Sequence, residues 1–319
     1  MKTESLKNIT DKMRKYTPYE PPQPKNPNLP PTHNIILSAS VKGSGKSYNC
    51  VLLLQEYEKE QFIASDGSMV RMRTMWFAGG TANSKQNAIL DTLDTLHPDD
   101  RIDIEEEPEK QLKLIYASLV KERDQIEAYQ EYIKTYKRFM KNVKSLTYQE
   151  LVLLQYKKFV NPKDDNERPT DEYGNILENP RCVFLIFDDL VGSDIFSNNK
   201  RGNFINRLAT KSRHSSDKLV GLNLFFISQS FKAIPSIVRR NTDVFVLLKS
   251  SNKEYILEAI TEETSGWFSK EELFEVYTAC NKVEYGALII SIHKKEKPEN
   301  RLRLNWNNRI IRDQKYLEE

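Results

Sequence analysis

The feature that most restricts how this chain can fold is a glycine-rich loop at residues 40–47, with the sequence SVKGSGKS. The loop follows an apolar run at 34–37 and precedes a helical pattern at 48–62, so the order is strand, turn and helix. In a G-x-x-x-x-G-K-[ST] loop, consecutive backbone N–H groups and the helix N-terminus point at a phosphate chain. The segment therefore predicts that the chain binds a nucleoside triphosphate.

Individual residues of this loop have predicted roles. Gly43 and Gly45 let the backbone curl inward without a Cβ clash. Lys46 is placed to reach the β- and γ-phosphates, and the Ser47 hydroxyl to complete the ligand shell of a magnesium ion. Ser40 stands where the pattern has its first glycine, and because that position only begins the turn, we expect the departure to be silent. The predicted nucleotide-binding residues are Lys42, Gly43, Ser44, Gly45, Lys46, Ser47 and Tyr48.

Composition limits the number of domains, the kinds of partner and the cellular compartment that we expect for this chain. A length of 319 residues with 39% hydrophobic content suits one decorated domain with a sizeable core. The net charge of +3 is too small to indicate a nucleic-acid-binding surface over the whole molecule, so such a surface must come from local clusters. The three cysteines have unrelated spacings and indicate reduced thiols of an intracellular protein. No apolar run has the length needed to cross a bilayer, so we expect a soluble chain.

The first 32 residues differ from the rest, because seven prolines follow a polar, mildly basic start. Proline fixes φ and removes a hydrogen-bond donor, so residues 1–32 are predicted to form an extended arm. Residues 33–319 are predicted to form the domain that carries the phosphate loop. The arm could be a disordered tail or a strap onto a neighbouring subunit.

After the loop, strand and helix patterns alternate. Strands are predicted at 72–77 and 102–104, with a helix between them at about 85–96. This alternation favours an α/β fold, in which a mostly parallel sheet is covered by helices on both faces. Toward the C-terminus, further strands are predicted at 244–248 and 285–292.

A helical insertion is predicted at about 105–160, followed by a turn-rich loop at 161–180. Apolar residues at spacings of three and four predict a long, coiled-coil-like helix in which only Glu122 breaks the pattern. A second helix at 148–159 could fold back onto it, and the basic tip between them could contact a polyanion. The hairpin could pack on its own domain or bind a partner. The predicted seam comprises Leu112, Ile115, Leu119, Ile126, Tyr129, Ile133, Tyr136, Met140 and Val143.

Acidic residues follow the apolar run at 182–187, which is typical of a central parallel strand. Asp188 is predicted to hold magnesium together with Ser47, and Asp189 to orient and deprotonate the attacking water. The next strand pattern ends in Gln229, which could bond both the γ-phosphate and the water.

Two arginines, Arg207 and Arg213, lie on a predicted helix between these strands. Either one could contact its own nucleotide, reach a neighbouring subunit's γ-phosphate in trans, or remain solvated. The D-x-x-G pattern at 189–192 also occurs in GTPases, but Tyr255 occupies the aspartate position of an N-K-x-D sequence, which disfavours guanine recognition.

Three segments carry a family resemblance: RLATKSRH at 207–214, LFFISQ at 224–229 and PSIVRRNTD at 235–243. They resemble the FtsK/HerA superfamily of DNA-pumping ATPases. The phosphate loop is similar to that superfamily's G-x-T-G-S-G-K-S. The Asp188–Asp189 pair and the Arg213–His214 pair are most similar to genome-packaging ATPases of large eukaryotic DNA viruses and virophages. The resemblance covers about residues 34–258.

This resemblance implies a P-loop NTPase fold of the RecA/ASCE-like type. It does not cover the arm, the C-terminal tail or the helical insertion, which precedes the acidic Walker B strand. It implies a ring, expected to be a hexamer, that uses ATP and Mg²⁺ to thread double-stranded DNA without sequence preference into a preformed capsid. A capsid or portal vertex protein is then a partner, and the location is the host cytoplasm, the virus factory or the virion. The catalytic residues are then Asp189, Gln229, Arg213 and Arg207. A cellular or plasmid DNA translocase or helicase, and a non-catalytic nucleotide-binding scaffold, remain alternatives.

Overall fold

The structure is a computed structural model, and the residues that it describes lie between positions 22 and 310. They are residues 22–60, 62–63, 69–79, 84–104, 107–162, 168–190, 193–196, 203–211, 221–250, 257–258, 260–261, 268–292, 301–306 and 308–310.

One ten-stranded sheet organises the described chain. Its strands are β1 (Ile35–Ala39), β2 (Phe62–Ile63), β3 (Met69–Ala78), β4 (Arg101–Asp103), β5 (Arg181–Asp188), β6 (Gly221–Ser228), β7 (Val244–Leu247), β8 (Leu288–Ser291), β9 (Leu302–Leu304) and β10 (Asn308–Arg309). The α-helices are α1 (Lys46–Glu58), α2 (Ser84–Leu90), α3 (Pro108–Lys141), α4 (Tyr148–Tyr156), α5 (Phe204–Lys211), α6 (Ser236–Arg240) and α7 (Lys270–Cys280).

The centre of the sheet is parallel, in the order β3, β5, β6, β1 and β7, and β4 joins β3 in parallel. Antiparallel strands β8, β9 and β10 extend the β7 edge, and β2 pairs with β3 in antiparallel orientation. The prediction of a mostly parallel sheet is therefore confirmed for the centre. The strand predicted at 285–292 begins three residues later, at Leu288, and runs antiparallel.

Helices cover both faces of the sheet, as the alternation of elements predicts. Ile35 and Leu37 pack into one hydrophobic cluster, whereas Ile36 packs into the other. The first cluster includes residues of α3, α5 and α7, and the second includes residues of α1. Burial on both faces explains why β5 and β6 read as continuous apolar runs.

Residues 22–32 lie against this domain. The Tyr57 hydroxyl on α1 donates to the Pro30 carbonyl at 2.5 Å, the backbone N–H of Lys25 donates to Glu60, and Arg303 on β9 donates to the Asn28 carbonyl. The second half of the proline-rich segment therefore contacts its own chain. Residues 1–21 lie outside the described ranges, so the arm as a subunit strap stays a prediction, as does the domain boundary near residue 32.

The long helix α3 has 34 residues and begins at a proline, which suits the first helical position. Its buried face starts on the predicted seam, with Leu112, Leu119 and Ile126 at intervals of seven residues. Its last turns depart from the seam, because Met140 is 66% exposed and Tyr132 is buried instead.

This departure has a local cause. The end of α3 packs against α4 and the chain that follows it. Arg138 donates to Glu150 on α4, the Tyr132 hydroxyl donates to the Val160 carbonyl, and the Phe139 and Phe159 rings lie 5.3 Å apart. α4 starts with a capping box formed by Thr147 and Glu150, and it ends at Tyr156, before the predicted 159. None of the helices in the described ranges is long and apolar enough to cross a bilayer.

Glu122 interrupts the apolar seam because it belongs to a charged cluster between α3 and the sheet. Its carboxylate lies 3.4 Å from Arg73 on β3 and 3.1 Å from Arg181 on β5. Arg73 also pairs with Asp100 at 2.7 Å, and Arg181 pairs with Asp171 at 3.1 Å. Burial raises the pKa of Glu122, and the two arginines oppose that rise. The break in the sequence pattern therefore marks where α3 is attached to β3 and β5.

Candidate functional site

The predicted phosphate loop at residues 40–47 connects the end of β1 to the start of α1, which begins at Lys46. Gly43 has φ 77° and Gly45 has φ 93°, both in the left-handed region that favours glycine. A Cβ on Gly45 would also lie only 3.2 Å from Cδ1 of Tyr285. Both glycines therefore have the backbone conformation that the loop pattern requires.

The Lys46 side chain is folded onto its own loop. Its Nζ donates to the carbonyl of Ser40 at 2.7 Å and to that of Val41 at 2.9 Å. Burial lowers the pKa of Lys46, while the carboxylates of Asp189 and Asp188 raise it. The loop thus keeps a partly desolvated cation inside its curl, where attraction to a phosphate is stronger than in water.

Strand β6 lies between the loop-bearing strand β1 and the acidic strand β5. In this register Ala39 of β1 is opposite Ser228, and Asp188 of β5 is opposite Ile227. Because all three strands are parallel, their carboxyl ends meet at the edge where the phosphate loop begins.

Asp188 is the centre of a short hydrogen-bonded group. The Ser47 hydroxyl donates to its Oδ2 at 3.0 Å, and Gln86 Nε2 donates to the same oxygen at 2.8 Å. The residue is only 7% exposed, and burial raises the pKa of Asp188 to about 6. A hydroxyl oxygen and a carboxylate side by side are the oxygen ligands that Mg²⁺ prefers.

Asp189 and Gln229 are also brought together. Gln229 Nε2 donates to Asp189 Oδ2, and the backbone N–H of Asp189 donates to the Ile227 carbonyl at 2.9 Å. Asp189 has φ 52°, a left-handed conformation that aspartate adopts more readily than most residues. The turn after β5 therefore holds this carboxylate beside the end of β6.

A cleft of about 720 Å³ joins these groups. It contains six of the seven predicted nucleotide-binding residues as well as Asp188, Asp189 and Gln229, while Ser44 lies in the same loop outside its lining. Three polar lining residues, Lys85, Gln86 and Tyr285, were not predicted as site residues. Gln86 could have been found from topology, because the helix after a parallel strand starts at the sheet's carboxyl edge.

The two candidate arginines remain predictions. Arg207 is exposed on α5 and is not among the residues that line the cleft of its own chain. Arg213 lies outside the described residues. A role in trans for either residue depends on a neighbouring subunit.

Ser40 has a structural role that its place in the motif did not suggest. Its side chain is buried, and its hydroxyl donates to the Lys249 carbonyl beyond β7. Its own carbonyl accepts from Lys46, and this bond does not depend on the side chain.

We therefore expect Ser40→Gly to leave ATP affinity within a few-fold of wild type but to lower the free energy of unfolding by about 1–2 kcal/mol, through the lost hydrogen bond and added backbone freedom. Calorimetric titration with ATP and urea unfolding measure the two effects. A large gain in ATP affinity would instead show that Ser40 distorts the turn.

Comparisons with known proteins give matches among solved structures only: no family model matches the chain, and no curated protein does. One match is the genome-packaging NTPase B204 of Sulfolobus turreted icosahedral virus 2 with sulfate, at TM-score 0.40 and 12% identity, covering 83% of this chain and 93% of that one. A second is EssC (ATPases 2 and 3) of Geobacillus thermodenitrificans, at TM-score 0.40 and 14% identity, covering 89% and 42%. A third is the pCW3 conjugation coupling protein TcpA, at TM-score 0.35 and 13% identity, covering 81% of this chain and 57% of that one.

Proposed function

We propose that this protein is an ATPase that uses hydrolysis to move double-stranded DNA into a viral capsid, acting as an oligomeric ring. The observation that carries the ATPase part of the proposal is the convergence of three strand ends, those of β1, β5 and β6, on one loop. Ser47 contacts Asp188 there, and Asp189 contacts Gln229. Phosphate binding alone suits kinases, GTPases and motors, whereas a second carboxylate with a partner amide suits hydrolysis.

The residues present fit a magnesium-bound nucleotide. Ser47 Oγ and Asp188 would hold the ion, and residues 42–48 would hold the phosphates. When bound, Mg²⁺ neutralises charge on the phosphates and offsets the repulsion between the adjacent carboxylates of Asp188 and Asp189. Lys46 would exchange its two loop carbonyls for phosphate oxygens, which are stronger acceptors because they are charged.

Asp189 would take the proton of the attacking water. Its side chain is shorter than the glutamate of many FtsK/HerA proteins, and Gln229 supplies a second polar group at the same place. The amide can donate to Asp189 and accept from the water at once, so it can hold the water in line.

The DNA-moving part of the proposal rests on the sequence resemblance and on local charge. Lys134, Lys137 and Lys141 are exposed along one side of α3, in a region that the sequence predicts to be basic. Contacts of lysine with phosphate are independent of sequence and sensitive to salt, as a motor acting on a whole genome requires. A hexameric ring, a trans arginine and a capsid or portal partner complete the proposal.

The test is the ATPase rate of the full chain with Mg²⁺, with and without duplex DNA. We expect duplex DNA to raise the wild-type rate, and Lys46→Ala to lower it by about 10²-fold or more, since a preorganised cation at the phosphates is lost. Lys59→Ala is the matched control, because Lys59 lies at the exposed end of α1 and pairs only with Glu56 in the described chain.

The outcomes separate the two parts of the proposal. A Lys46→Ala rate equal to wild type, with both variants folded by circular dichroism, contradicts the ATPase assignment. Normal hydrolysis without stimulation by duplex DNA contradicts the assignment as a DNA motor and favours another use of the ATPase.

A further inference from the structure

The order of the strands divides the cleft into two sides. The acidic strand β5 and the Gln229-bearing strand β6 lie on one side of β1, and β7 followed by β8 lies on the other. If the γ-phosphate faces Asp189 and Gln229, as the proposed function requires, the phosphate chain crosses the loop. The nucleoside then lies toward β7 and β8.

An exposed aromatic ring occupies that second side. Tyr285 precedes β8, is 60% exposed and lines the cleft. Its Cδ1 lies 3.2 Å from where a Cβ of Gly45 would be, so the ring rests on the glycine of the phosphate loop. An exposed aromatic side chain in a ligand cleft presents a flat apolar surface beside the site of the phosphates.

The backbone at this position carries strain that the surrounding turn maintains. Tyr285 has φ 54°, a conformation that is costly for a bulky residue. The next residue must be small, because a Cβ on Gly286 would lie 2.2 Å from the Cys280 carbonyl oxygen. The N–H of Gly286 donates to Val283 at 3.0 Å, and that of Ala287 donates to Asn305 at 2.9 Å. The fold therefore fixes the ring at the cleft instead of leaving it on a free loop.

We propose that the Tyr285 ring is the surface on which the nucleobase stacks, which makes Tyr285 a base-binding residue of the nucleotide site. Stacking uses the π face that every base has, and it favours the larger purines over pyrimidines. This proposal rests on the proposed function, since it assumes that a nucleoside triphosphate occupies the loop.

The test compares the binding of ATP with the binding of inorganic tripolyphosphate, which has the phosphates but no base. Isothermal titration uses the full chain with Mg²⁺. The variants are Tyr285→Asn, in which asparagine tolerates the left-handed backbone, and Tyr285→Phe, which keeps the ring. Tyr156→Ala is the matched control, because Tyr156 is an exposed tyrosine on α4, away from the cleft.

We expect Tyr285→Asn to raise the Kd for ATP by about 10-fold or more while leaving the Kd for tripolyphosphate unchanged, as loss of one stacking contact requires. Tyr285→Phe and Tyr156→Ala should bind both ligands as wild type does.

Other results overturn the proposal in distinguishable ways. An equal loss for ATP and tripolyphosphate means that Tyr285 only supports the loop at Gly45. No loss for ATP in Tyr285→Asn, together with a loss in Tyr48→Ala, assigns stacking to the other tyrosine of the cleft. If the wild-type protein binds tripolyphosphate as tightly as ATP, base stacking is contradicted but phosphate binding by the loop is not. If the wild-type protein binds neither ligand, the proposed function is contradicted as well.

Discussion

Asp188→Asn is expected to reduce ATP hydrolysis by about 10²-fold or more, because it removes the charge of the proposed magnesium ligand. The same substitution is expected to stabilise the nucleotide-free protein at pH 8. Asp188 is buried, and its Oδ2 accepts from both Ser47 and Gln86. Asparagine keeps an oxygen for these donors without a buried charge.

The pH dependence of this effect has a definite sign. Burial raises the pKa of Asp188 to about 6 in the folded chain, above its ordinary value of 3.8. The folded state therefore binds the proton more tightly, and this carboxyl lowers the free energy of unfolding as the pH rises from about 4 to about 6. Above that range the full cost of about 1–3 kcal/mol is present, and Asp188→Asn removes it.

Urea unfolding of both proteins in EDTA, at pH 4.5 and pH 8, measures this difference. The gain in stability of Asp188→Asn should be largest at pH 8 and should shrink at pH 4.5. Excess Mg²⁺ with an ATP analogue should reverse the order at pH 8, since bound ligand stabilises only the protein that can hold it. Equal stability of the two proteins at pH 8 in EDTA would contradict a desolvated carboxylate.

Arg73→Met is expected to lower the free energy of unfolding by about 3–5 kcal/mol, because it leaves the buried carboxylate of Asp100 without its counter-charge. Arg73 is buried on β3 and pairs with Asp100, Glu122 and Glu172. Although burial alone would lower the pKa of Arg73, the hydrogen bond and charge of Asp100 raise it. The guanidinium is therefore the common partner of three acidic groups from separate parts of the chain.

Arg101→Met is the matched control for this experiment. Arg101 pairs with Asp91 at 2.7 Å, but the Asp91 side chain is 65% exposed. Loss of such a surface pair costs about 0–1 kcal/mol. If thermal and urea unfolding show the same loss for both variants, the buried cluster does not attach α3 to the sheet as the structure indicates.

Local sequence was sufficient for the parts of the site that depend on neighbours along the chain. The left-handed Gly43 and Gly45, the start of α1 near Lys46 and the buried strand before Asp188 follow from residue type and spacing. The mostly parallel centre follows from the alternation of strands and helices. Local patterns were less reliable at element ends: the helix predicted at 85–96 stops at Leu90, although Leu93 and Leu96 are still buried.

The long helix α3 shows where sequence periodicity fails to predict which residues are buried. A repeat of three and four residues assumes one continuous apolar neighbour along the helix. α3 has three different neighbours along its length. Leu112 and Leu119 face the hydrophobic core, Glu122 faces the two arginines Arg73 and Arg181, and Tyr132 faces the chain after α4. Its buried face changes with each of these neighbours, so the end of the seam was wrong at Met140 and Val143.

The phosphate loop was therefore determined by eight consecutive residues, because backbone conformation and the direction of N–H groups are local properties. Which side chains meet it was decided only by tertiary structure. Strand order places β6 between β1 and β5, brings Gln229 to Asp189 and Gln86 to Asp188, and sets Tyr285 on the opposite side of the loop. These contacts join residues about 40 to 240 positions apart. No local preference encodes them, because they form only when the strands pair in this order and bury both faces of the sheet.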